Sequence, residues 1–334
     1  MTADDTAGTE PATVPAEPDP TATEPFSGHD RITSHLHASQ DQAEADPVEA
    51  SESREEALAA AMAEMDALVG LESVKSRVRE LVAKQQVNAV REQAGLPVFN
   101  MGLHLVFTGD PGTGKTTVAR IMARIYRGLG LLERGHLVET SRVDLVGQYV
   151  GHTASLTQQA IDKARGGVLF IDEAYALTGA GDRDFGPEAI STLVKAMEDR
   201  RGEFAVIAAG YSDEMDVFVE SNPGLRSRFQ TFIRFPNYSA DELLEIFADL
   251  AERTQVTASD EVLAAIRRAI DEAQTDESGG NARYVRSLFE EMTNRLAVRA
   301  AADGVVEQAE VVAFDVSDVP PSANAGRGRI GFTG

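Results

Sequence analysis

The chain has 334 residues, 43% of them hydrophobic and 25% charged, which is enough for two compact domains with tails. Its 54 acidic against 31 basic residues leave a formal charge of -23, which repels phosphate at long range and disfavours general adhesion to nucleic acid or anionic membrane. There are no cysteines, so disulfides, thiolate metal sites and cysteine nucleophiles are excluded.

Residues 1–54 hold twelve acids against two arginines, Arg31 and Arg54, and almost no large apolar residues. Such a segment buries too little surface to offset its ordering entropy, so a disordered acidic tail is expected, with His29, His35 and His37 solvated in it. The first residues lack the apolar core of a secretory signal, and no run approaches the ~18 apolar residues of a membrane span. A cytoplasmic protein is the expectation.

The run REEALAAAMAEMDAL then predicts a helix, broken at Val69-Gly70-Leu71. A longer helix follows, with Val74, Val78, Leu81 and Val82 at helical spacing. From His104 the pattern changes: HLVFTG, HLVET, GGVLFID, EFAVIAAG and TFIRF alternate with helical stretches such as TTVARIMARIYRGLG. Strand–helix alternation predicts an α/β fold, a parallel sheet sandwiched by helices, over residues 55–236. Beyond Pro236 the strands stop, and three amphipathic helices predict a small helical lid domain over 237–305, with Ser239 and Ser259 as N-caps. Residues 306–334 are turn-rich and expected to be largely irregular.

Gly109–Thr116 reads GDPGTGKT, a full match to GxxxxGK[ST] between an apolar strand and a helix. Its loop residues Asp110, Pro111, Gly112, Thr113 and Gly114 can curl backbone N–H groups around phosphate oxygens, and the following helix, entered at Thr117, adds the positive end of its dipole. Lys115 can reach the β- and γ-phosphates of ATP, and Thr116 can place a hydroxyl on Mg2+. Gly167–Glu173, GVLFIDE, is an apolar run ending in two carboxylates at the edge of a sheet where ligands bind. Asp172 is the second candidate metal ligand; Glu173 is the candidate general base for the attacking water.

DLVGQYVGHTASL (144–156) sets Tyr149 and Val150 between two glycines. Taken alone it reads as a kinked strand with a buried tyrosine.

GDPGTGKT, VLFIDEA and a trailing helical lid together resemble an AAA+ ATPase. LVGLESVK (68–75), LVGQYVGHTA (145–154), GGVLFIDEAYAL (166–177), NPGLRSRF (222–229) and GNARYVRSLFE (280–290) narrow the resemblance to the CbxX/CfqX-type family, over roughly residues 60–300. That family includes red-type Rubisco activases and the C-terminal half of type VII secretion ATPases. The resemblance implies a homo-oligomeric ring, usually a hexamer, with ATP at subunit boundaries and a chaperone-like action on a protein client. It places Val69 and Gly70 against the adenine. It makes Arg228 the arginine finger, with Arg226 as second candidate, and Arg283 the second sensor, with Arg286 one turn on. The family's usual asparagine after the fourth strand is missing, and either Tyr211 or Ser212 stands in for it. The loop with Tyr149, Val150 and Gly151 becomes a client-gripping pore loop, and TGAGDRDFG (178–186) a second one. Several functions follow from these features: a general protein-remodelling ATPase, a red-type Rubisco activase or a secretion-associated chaperone, or, in other classes, a nucleic-acid remodelling motor or a nucleotide-switched scaffold. Charge and the aromatic loop weigh against nucleic acid, and the presence of both Glu173 and Arg228 weighs against a scaffold.

Overall fold

The structure, a computed structural model, describes residues 53–99, 102–149, 151–179, 184–275, 280–302 and 307–321. The expected tail before Ser53, Val150 and residues 180–183 of the second expected pore loop lie outside them.

Ser53 and Glu56 cap each other's backbone N–H groups and start α1, Arg54–Asp66. A turn leads into α2, Glu72–Gln93, whose inward face carries Val74, Val78 and Val82. Five strands follow: β1 Leu105–Thr108, β2 Leu137–Thr140, β3 Val168–Ile171, β4 Ala205–Gly210 and β5 Thr231–Arg234. They form one parallel sheet in the order β2-β3-β4-β1-β5, with Leu105 opposite Ile207 on one side and Thr231 on the other. Strands β1, β3 and β4 are inside the sheet and buried at every residue, which is why they read as unbroken apolar runs.

Side chains alternate between the two faces. Leu105, Phe107, Phe170 and Ile207 join a core with α1, α2 and α3, Lys115–Gly128. Val106, Leu169, Ile171 and Val206 face the other way, against α5, His152–Lys163, α6, Gly186–Asp199, and α7, Ser212–Glu220. Two short helices, α4 (Arg142–Leu145) and α8 (Pro223–Arg228), complete this part. Since all five strands are parallel, their C-terminal ends share one edge of the sheet.

After β5 come α9, Ala240–Arg253, α10, Asp260–Gln274, and α11, Asn281–Ala300. Ser239 and Ser259 cap the first two, as expected. The segment after residue 306, expected to be irregular, is ordered in its described part. It forms α12, Gln308–Val311, and a 3-10 turn, Val316–Asp318. Phe314 between them is buried against Phe247 and Phe289, with ring centroids 6.0 and 5.6 Å away. Thr257 N–H donates to Val312 O at 2.8 Å, and Phe314 N–H donates to Thr257 O at 2.9 Å. One aromatic side chain filling a gap in the helical core holds a segment that composition marks as loose.

Candidate nucleotide site

The loop from β1 to α3 turns on Gly112 and Gly114, at φ +75° and +92°, where a side chain is strained. A methyl group on Gly112 would lie 3.0 Å from the Arg283 Cβ, so helix α11 sits directly on the loop. The Ala282 N–H donates to the Gly112 carbonyl at 3.1 Å. No side chain caps α3, which leaves its positive end for an anionic ligand. Lys115 Nζ donates to the carbonyls of Gly109 and Asp110 at 2.7 and 2.8 Å, folding the ammonium over the loop. Burial holds its pKa below the usual lysine value, partly offset by Asp172 and Asp110.

A cavity of about 420 Å³ opens here. Pro111, Gly112, Gly114, Lys115, Thr116 and Thr117 line one wall, Asp172 and Glu173 the next, and Arg283 and Arg286 the lid side. Leu68, Val69, Leu71, Ile246 and Leu250 make the far end apolar. An apolar end for a base, a cationic end for phosphates and a hydroxyl beside a carboxylate for a hard cation match a nucleotide with Mg2+. Asp172 N–H bonds Thr140 O across the β2–β3 register at 2.8 Å, which fixes the strand end, and Glu173 follows at φ +48°, a strained angle for a non-glycine residue.

The family model described as "ATPase family associated with various cellular activities (AAA)" matches residues 105–237, and that of the AAA lid domain matches 239–328. Stage V sporulation protein K of Bacillus subtilis is 45% identical over 239 residues, 71% of this chain and 74% of that one. Protein CfxQ of Xanthobacter flavus is 45% identical over 264 residues, 78% and 83% of the two chains. A chloroplastic ribulose bisphosphate carboxylase/oxygenase activase of Cyanidioschyzon merolae is 45% identical over 236 residues, 70% and 80%. The chain belongs to the AAA ATPases of the CbxX/CfqX type. It binds nucleotide and is an ATPase. The fold is also that of the FIGL-1 AAA domain, at a TM-score of 0.53 and 19% identity over 78% of this chain and 84% of that one.

Three residues expected to contact nucleotide in this AAA ATPase do not line the cavity. Gly70 is turned to the Glu242 carboxylate, which occupies the space a side chain there would need. The Asp110 carboxylate accepts from Asn237 Nδ2 at 2.7 Å, and Thr113, fully buried, donates to Asp110 O at 2.8 Å. Asp110 and Thr113 shape the loop. Of the two residues after β4, Tyr211 lines the cavity and Ser212 does not.

Sequence reasoning missed Asn281. It is buried, at φ +40°, and its Oδ1 accepts from Tyr238 N–H at 3.0 Å. Its Nδ2 donates to Asn237 Oδ1 at 3.1 Å and to Pro111 O at 3.3 Å. Asp110, Asn237 and Asn281 thus tie the phosphate loop, the linker after β5 and the lid into one network.

Neither candidate finger reaches the cavity of its own chain. Arg226 is paired with Glu220 at 2.9 Å and its side chain is 69% exposed. Arg228 is paired with Glu198 at 2.5 Å and only 19% exposed.

Tyr149 is 67% exposed, so the buried-strand reading of its stretch is excluded. Two buried threonines anchor the turn it sits on. Thr153 Oγ1 accepts from Gly147 N–H at 3.0 Å, and Thr157 Oγ1 donates to Leu145 O at 3.0 Å. Gly151, at φ +83°, has open space where a side chain would start. An exposed aromatic tip on an anchored foot is the result. Among the described residues no helix is long and apolar enough to cross a membrane.

Proposed function

We propose that this ATPase uses hydrolysis to remodel or partly thread a protein client through the pore of a homo-oligomeric ring, a hexamer, in the cytoplasm. In this reading residues 55–236 form the catalytic body, 237–305 the lid, and Tyr149, Val150 and Gly151 the grip. The observation that carries it is Tyr149, a large exposed ring on an anchored, glycine-flanked turn. An aromatic face offers a broad contact that tolerates any client sequence.

Lys115 neutralises the phosphates. Thr116 and Asp172 would hold Mg2+, which would supply neutralisation of phosphate charge. Glu173 orients the attacking water and takes its proton. Val69, with Leu68 and Leu71, packs against the base, and Arg283, with Arg286 one turn on, reports phosphate state to the lid. Arg228 of one subunit, with Arg226 as second candidate, serves the neighbouring site, where a guanidinium stabilises charge developing in transfer.

Relatives named as Rubisco activase and as a sporulation protein are equally similar, at 45% identity, so the client is left at the level of a protein. Rubisco is one candidate and a secretion substrate another. A formal charge of -23 supports a protein client over nucleic acid.

Glu173→Gln should retain nucleotide while slowing hydrolysis about 10²–10⁴-fold. Recovered from lysate with ATP, that trap should hold one enriched protein, lost when Tyr149→Ala is added. Equal recovery with and without Tyr149 sinks the grip.

A further inference from the structure

One guanidinium connects the carboxylate end of the site to the turn that carries Tyr149. Arg142 opens α4; its Nη1 donates to the Ala176 carbonyl at 2.6 Å and its Nη2 to Asp184 Oδ1 at 2.8 Å. Ala176 belongs to the 3-10 turn Ala174–Thr178, which starts one residue after Glu173, and its own N–H donates to Glu173 O at 2.8 Å. Asp184 Oδ1 also accepts from Gly186 N–H at 2.7 Å, at the first residue of α6.

These contacts have no slack. A methyl group on Gly186 would overlap Leu177 O and lie 3.0 Å from Arg142 Nη1; one on Gly179 would overlap the Asp184 carboxylate. The ion pair is partly shielded, with side chains 32% and 18% exposed, where a charge-assisted bond is stronger than at an open surface.

On its other side Arg142 belongs to a helix of four residues, capped by Ser141 and Asp144. Val146 N–H donates to Arg142 O at 2.9 Å, and the next residue, Gly147, is already held by Thr153. A displacement of α4 is therefore a displacement of the Tyr149 turn.

We infer that Arg142 is a positioning residue that transmits the nucleotide state at Asp172–Glu173 to the Tyr149 turn. Glu173 sits at a strained φ of +48°, so its backbone is one part of the site that can shift when the ligand changes. A shift there moves the Ala176 carbonyl, and the fork must follow. Two acceptors in different directions suit the rigid guanidinium, which a lysine replaces only in part. Contiguous hydrogen bonds of this kind are the physical route of coupling between sites. The purpose of the transmission rests on reading Tyr149 as a grip; its test does not.

The chain has no tryptophan, so Tyr149→Trp places a single emitter on the turn. The full chain carrying it is measured with Mg2+ and ADP, then with Mg2+ and a non-hydrolysable ATP analogue. Emission should differ between the two states. Adding Arg142→Ala should shrink that difference about three-fold or more, with both nucleotide affinities unchanged. Asp184→Asn, which keeps the shape and the acceptor for Gly186, should shrink it too, and Arg142→Lys should fall between. These two variants carry the test if Arg142→Ala fails to fold. A full difference surviving Arg142→Ala or Asp184→Asn overturns the inference, as does the absence of any difference in the parent. If instead Tyr149→Ala leaves client action intact while the emission change depends on Arg142, the grip fails and the transmission stands.

Discussion

His104 shows how a single side chain sets conditions for the fold. It lies at the foot of β1, between Phe204 and Phe229, with ring centroids 6.3 and 6.2 Å away. Its Nδ1 accepts from Val206 N–H at 3.0 Å, which puts the ring proton on Nε2. Burial, reinforced by Arg228 and Arg201, lowers its pKa from 6.5 to about 4. Between those values the unfolded chain binds a proton that the folded chain refuses. Its contribution is therefore fully present above 6.5 and is lost as pH falls towards 4, at up to about 1.4 kcal/mol per pH unit. Denaturant unfolding at pH 7.5 and pH 5 should show that loss, and His104→Gln, which keeps an acceptor for Val206, should remove this part of it. An unchanged pH slope in His104→Gln would contradict the assignment. The convergence of Lys115, Thr116, Asp172 and Glu173 on one cavity was legible because local spacing sets it. His104, Gly70 and Asn281 were not, because each takes its role from a partner far along the chain: Val206, Glu242, and Pro111 with Tyr238.

At the scale of elements, the lid is locked to the phosphate loop through Asn281. Asn281→Ala removes the acceptor of the buried Tyr238 N–H and the donor to Pro111, at a cost of about 1–3 kcal/mol. It should lower the melting temperature and weaken nucleotide binding together. A lower melting temperature with unchanged nucleotide affinity would make the network purely structural. The five strands were legible as short apolar runs alternating with helical stretches, and most plainly in β1, β3 and β4, because parallel strands inside a sheet are apolar throughout. The packing of residues 307–321 was not legible. It depends on the Thr257–Ala313 bridge and on Phe314, a long-range register that no local period encodes.

At the scale of the whole molecule, Arg226 and Arg228 stand outside their own cavity, so the proposed finger acts only between subunits. Arg228→Ala and Lys115→Ala should each lose ATP hydrolysis, by on the order of 10³-fold for Arg228. Mixed together, they should regain part of it, because some interfaces then pair an intact Lys115 with an intact Arg228. No recovery in mixed rings that do assemble would contradict action in trans. The expectation of a ring comes from family resemblance alone, since no residue pattern in a single chain encodes a symmetric neighbour. In the proposed function, hydrolysis beside Lys115 is coupled to a polypeptide held at Tyr149, and the steady-state ATPase rate with and without an unfolded model protein such as casein measures that coupling. The rate should rise with casein in the parent chain and stay at its basal value in Tyr149→Ala. Equal stimulation of both would show that polypeptide acts elsewhere and would contradict the account.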